Sequence, residues 1–220
     1  MTNDSLEDWI DKFLETEPLP TLEFEDAELA PPLTESDLIE GQQRLMRWQS
    51  PTAFYDDTMA LCASFRSRPS EFFNRQQLKF LRDAYVLAEF ARLQKAEVVR
   101  LADPAEQWPD GLVNIGGMVH NVEVTSTHGG RKLGKEYRSI AEPTQENWVE
   151  RADSIPKYLD DAISRKIQKN YSSPCILIVY LNINDLDACQ NETEQVIAAA
   201  KVRHSRNFAA IFVLWKRHLY

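Results

Sequence analysis

Glycine is scarce in this 220-residue chain, seven in all. None lies in a phosphate-binding loop ending in Lys-Ser or Lys-Thr, and none gives the spacing of a dinucleotide fingerprint. Cysteine is scarcer still. Cys62, Cys175 and Cys189 are odd in number and lack zinc-ligand spacing, which points to a reducing, cytoplasmic setting with buried thiols. The four histidines (His120, His128, His204, His218) show no metal-binding spacing, and no Ser-His-Asp arrangement is evident. No apolar run reaches the roughly 18 residues a membrane span needs, so none is expected. Met1 to Phe13 is acidic and lacks a cationic start followed by an apolar run, so no signal peptide is expected either.

Charge is plentiful but unevenly placed. The formal net charge is −9, yet residues 1–40 alone carry −12 and residues 41–220 carry +3. A mildly basic body bearing an acidic segment permits nucleic-acid binding without demanding it.

Leu6, Trp9, Ile10, Phe13 and Leu14 recur at helical spacing, so Asp4 to Thr16 is expected to be a short amphipathic helix. Glu17 to Thr34 reads as an extended acidic linker. Thr34-Glu35-Ser36-Asp37 starts a helix running to about Trp48, and a second is expected from about Thr52 to Phe65. Residues 35–75 then form a helical layer on the main domain. The long helix runs from Asn74 or Gln76 to about Lys95, with Leu78, Leu81, Tyr85, Ala88 and Arg92 along its inner stripe. Glu89 points with that stripe, so its carboxylate needs a partner such as Arg92. Residues 97–101 favour a strand, Ile155 to Asn170 a helix, and Pro174 to Leu181 a central strand apolar on both faces. A further helix is expected from Glu192 to His204 and a last strand from Phe208 to Trp215. The element order predicts an α/β or α+β fold with a mixed sheet flanked by helices.

Trp108 to Thr125 is the most informative stretch. It reads as two short strands joined by Gly116-Gly117, a two-residue hairpin turn. Residue i then faces residue 233 − i, which sets Asp110 across from Glu123. Like charges directly opposite destabilise a sheet pair unless a cation lies between them. Oxygen-only ligands suit Mg²⁺ or Mn²⁺. Val113, Ile115, Met118, His120, Val122 and Val124 share the face fit for a core. The segment after the hairpin, Thr127 to Ser139, holds Arg131, Lys132, Lys135 and Arg138 among three glycines and is expected to contact phosphate.

Pro109-Asp110 followed by Glu123-Val124-Thr125 resembles the bipartite signature of the PD-(D/E)XK nuclease superfamily, over roughly residues 76 to 182. The resemblance implies a restriction-endonuclease-like fold for residues 76–220, behind an acidic segment (1–34) and a helical extension (35–75). It implies a metal-dependent hydrolase of DNA phosphodiester bonds. Asp110 and Glu123 would bind Mg²⁺ or Mn²⁺ with the Val124 carbonyl, and Glu89 would be the acid on the preceding helix. The family's catalytic Lys falls at Thr125, which supplies no positive charge. Lys166 is the first candidate to stand in, being one step from the inner stripe of its helix, followed by Lys135 and Lys132. The alternative is a catalytically inactive nucleic-acid-binding or regulatory protein that keeps the fold, or an interaction protein whose acid pair is structural. The acidic N-terminal segment could cover the basic loop or recruit a protein partner, and many relatives of this fold act as dimers.

Overall fold

The hairpin forms in the expected register. In a computed structural model, which describes residues 33–65, 69–106, 108–127, 148–183 and 189–220, Gly111 pairs with Val122, Leu112 with Asn121, Val113 with His120, Asn114 with Val119 and Ile115 with Met118. Gly116 and Gly117 take φ of +60° and +75°, the left-handed conformation that a two-residue type I′ turn demands and that side chains with a Cβ resist. The tip projects past the core, so Met118 is 64% exposed although it lies on the apolar face. The expected helix at Asp4–Thr16, the acidic linker and the basic segment with Arg131, Lys132, Lys135 and Arg138 lie outside the described residues.

Helix α1 (Glu35–Leu45) starts where the sequence places it. Thr34 accepts from the Asp37 amide while the Asp37 carboxylate accepts from the Thr34 amide, a capping box that satisfies two orphan donors. Ser50 caps α2 (Pro51–Ala63) with its hydroxyl oxygen alone, which accepts from the Ala53 amide, and Pro51 takes the first helical position. A short helix α3 (Pro69–Asn74), too brief to show a periodic signal, leads through a 3₁₀ turn (Gln76–Leu78) into α4 (Lys79–Leu93). The Arg82 guanidinium donates to the Phe72 carbonyl at 2.7 Å and ties α3 to α4.

Strands β1 (Val98–Leu101), β2 (Gly111–Ile115) and β3 (Met118–Thr127) form an antiparallel meander. Helix α5 (Trp148–Ile167) then returns the chain to β4 (Ile176–Leu181), parallel to β3. Helix α6 (Gln190–His204) does the same for β5 (Ala210–Trp215), and β6 (His218–Leu219) closes the sheet antiparallel to β5. Among the described residues the sheet is mixed and its six strands lie in sequence order. Helix α5 begins seven residues earlier than the periodicity places it.

The sheet separates two cores, and β4 alternates between them. Ile176 and Ile178 join Val113, Val122 and Val124 beneath α1, α2 and α4, where Leu45, Phe54, Leu81, Leu87 and Phe90 are fully buried. Leu177, Val179 and Leu181 face the other way, against Ile155, Leu159 and Ile163 of α5 and Ile197 of α6. A strand covered on both faces loses its polar alternation, which explains its continuous apolar run. Because the α1–α2 layer shares a core with the sheet, it falls in one unit with it, Pro31–Tyr220.

Candidate active site

The site begins where β2 begins. Pro109, joined to Trp108 by a cis peptide, has no N–H to offer β3, so the backbone ladder stops beside Asp110. Asp110 keeps both neighbours with its own main chain, donating to the Val122 carbonyl (3.1 Å) and accepting from the Ala102 amide (3.2 Å). Its carboxylate then takes over the ladder: Oδ2 accepts from the Val124 N–H at 2.9 Å. Val124 thus meets Asp110 through its amide.

Glu123 points from β3 toward α5 and is 1% exposed. A carboxylate so deep is tolerated only when paired. Its partner is Lys166, carried inward because it lies three residues past Ile163 on the buried stripe of α5. The Lys166 ammonium donates to Glu123 Oε2 at 2.5 Å and to Asp110 Oδ2 at 3.2 Å, bridging the two acids. Tyr171 donates its hydroxyl to the same Glu123 oxygen at 2.8 Å, and Trp108 stacks on its ring with centroids 5.7 Å apart. On the far side of Asp110, Lys79 donates to Oδ1 at 3.1 Å and also pairs with Asp83, one turn further along α4.

These charges set each other's affinities for protons. Burial pushes the Asp110 carboxyl up, but Lys166, Lys79 and the Val124 N–H outweigh it and hold it below the usual carboxylate range. Asp83 goes the other way, raised to about 6 by burial and by the Asp110 charge, which Lys79 only partly offsets. Burial works against the charge of Lys79, yet Asp83 and Asp110 together hold its ammonium above its ordinary value. Burial and the bond to Glu123 push the Tyr171 phenol far up, so it remains a donor at any working pH.

The cluster stands between two recesses that share Lys79 and Asp83. One, of about 510 Å³, reaches Asp110 from the α1 side. The other, of about 890 Å³, is lined by Lys166, Val124 and Thr125.

The structure therefore brings Asp110, Glu123, Val124 and Lys166 together, and it leaves Glu89 out of the group. Glu89 is buried, with its carboxylate 3.7 Å from Arg92, the partner expected if it is structural. The acid that α4 brings to the cluster is Asp83, six residues earlier and about 120° away around the helix. Sequence reasoning missed Asp83, Lys79 and Tyr171. The available signal was the Lys79/Asp83 pair, which at i, i+4 on the helix before the hairpin shares one face. Lys132 and Lys135 lie outside the described residues. Among the described residues, no group of three or more His, Cys, Asp or Glu side chains is arranged to hold a metal ion. No helix among them is long and apolar enough to cross a membrane.

No protein family, curated protein or solved structure matches this chain.

Proposed function

We propose that the protein is a metal-dependent phosphodiesterase acting on DNA, of divergent PD-(D/E)XK type, with Asp110, Glu123 and Lys166 as its catalytic residues. The observation that carries this is the Lys166 bridge, which sets one ammonium against both acids of the hairpin. Thr125 holds the strand position where the family has its lysine, and Lys166 supplies the missing charge from the following helix. The order of a helix, an antiparallel meander, a second helix and a parallel strand is also that of the restriction-endonuclease-like fold.

The residues fit a divalent cation. Asp110 and Glu123 each turn an oxygen to the Lys166 ammonium, so a divalent ion would take that place with Lys166 displaced toward the water, and an oxygen-only donor set suits Mg²⁺ or Mn²⁺. Asp110, Glu123 and the Val124 carbonyl would hold the ion, which would neutralise charge developing on the phosphate. Lys166 orients the attacking water and offsets the same charge. Lys79 fixes the second oxygen of Asp110, and Tyr171 fixes Glu123, so the acids are held before substrate arrives.

Cleavage of labelled oligonucleotides in Mg²⁺ or Mn²⁺ tests this. The wild type cuts, and Asp110→Asn loses metal-dependent activity. Equal cutting by both would overturn the assignment. A second possibility is a silent nucleic-acid-binding or regulatory protein, favoured by the way Lys166 already neutralises both acids. Binding of nucleic acid with no cleavage on varied substrates would decide for it.

A further inference from the structure

The 890 Å³ recess beside Lys166 has a chemistry that the acid cluster does not use. Its volume lies in the range of roughly 300–1,000 Å³ typical of ligand sites. Its mouth is cationic: the exposed Arg165 and Lys169 stand on the α5 end beside Lys166, and among the described residues neither has an acid partner. Lys79 adds a further positive charge, and among the described residues Asp83 is the one acid in the lining. Its wall is aromatic. Tyr85 and Tyr180 meet edge to face with centroids 5.9 Å apart, and Phe72 and Phe73 do so at 5.2 Å. All four rings are only partly buried, so each keeps surface open to the recess.

Cations at a mouth and aromatic rings inside suit a ligand with anionic groups spaced outside flat apolar ones. A nucleotide strand has that construction. In a duplex the base faces are stacked on one another and cannot reach a protein ring, whereas an unpaired base can. We propose that this recess binds an unpaired nucleotide strand, with Arg165 and Lys169 on its phosphates and the Tyr85/Tyr180 and Phe72/Phe73 walls against its bases. Lys166 belongs to both the recess and the acid pair, so a strand seated here has its backbone beside the ammonium that bridges Asp110 and Glu123. The protein then prefers single-stranded or frayed nucleic acid to intact duplex. An unpaired strand here rests on the nucleic-acid function proposed above, and binding measured without metal tests it apart from cleavage.

The test is fluorescence anisotropy of the full chain in EDTA, with a labelled oligothymidylate and a blunt duplex of equal length, over a series of salt concentrations. Wild type binds the single strand more tightly than the duplex. Arg165→Gln/Lys169→Gln, both surface changes, lowers the steepness of the log–log salt dependence by about 1.4, the loss of two phosphate contacts on a single strand. Tyr180→Leu weakens single-strand binding about ten-fold, the loss of one stacked base, at an unchanged salt slope. Its melting temperature is recorded alongside, and if it fails to fold the double surface variant decides alone. Equal affinity for the two nucleic acids, or an unchanged salt slope in the double variant, overturns the proposal. Either result would leave metal-dependent cleavage through Asp110 standing, and loss of cleavage alone would leave strand binding standing.

Discussion

The Lys166 ammonium lies 2.5 Å from Glu123 Oε2, joining two residues 43 positions apart in the chain, and each is at least nine-tenths buried. Such a pair stabilises little relative to an apolar substitute, because both charges lose water. Removing one partner is a different matter, since the other is left charged in a dry place.

Lys166→Met is therefore expected to destabilise the fold by about 3–5 kcal/mol in chemical denaturation. Adding Glu123→Gln recovers most of that loss, because the stranded carboxylate is gone. Additive losses in the double variant would show that the two side chains are not coupled.

Asp83 makes stability fall as pH rises between about 4 and 6. Its carboxyl titrates near 6 in the folded protein and near 3.8 ordinarily, so in that window the folded chain holds a proton the unfolded chain has released. Asp110, held below its ordinary range, acts in the opposite sense at lower pH: its contribution is present above the unfolded value and fades as acid protonates it. Asp83→Asn should flatten the upper window. Urea midpoints measured from pH 4 to 7 give the comparison, and an unchanged slope would refute the assignment.

A divalent ion that binds the folded hairpin must raise its melting temperature. At about 100 times its Kd it adds about 2.7 kcal/mol, or several degrees for a chain of this size. Mn²⁺ and Mg²⁺ should shift the wild type and leave Asp110→Ala/Glu123→Ala where it was. Equal shifts in both proteins would place the ion elsewhere.

Gly117→Ala should cost about 1–2 kcal/mol, since alanine is strained at its φ of +75° although nothing crowds a Cβ there. Thermal melts check this, and a neutral result would mean that the turn relaxes freely.

Much of the fold could be read from the sequence because its signals are local. A Gly-Gly turn between alternating strands fixed the register that set Asp110 near Glu123, and Thr34 with Asp37 marked the start of α1. The apolar run at 176–181 announced a strand buried on both faces. Lys166 was within reach because its helical stripe could be counted. Asp83 was not, because Glu89 satisfied the same criterion of an inward acid on α4. Which of the two meets the hairpin depends on how α4 is rotated against β2, a tertiary fact with no local signature. Lys79 and Tyr171 join the site through contacts 31 and 48 residues apart, which no periodicity reveals. The two-residue strand β6 and the six-residue helix α3 are too short to stand out.

The most direct test of the account is the rate at which Lys166→Ala cleaves a labelled single strand in Mn²⁺, compared with wild type. A lysine that orients water and offsets phosphate charge contributes about 10²- to 10⁴-fold, so the rate should fall by that factor while Mn²⁺ still raises the melting temperature. Cleavage at the wild-type rate by a folded Lys166→Ala protein would contradict the account, since the ammonium bridging Asp110 and Glu123 would then have no part in the chemistry.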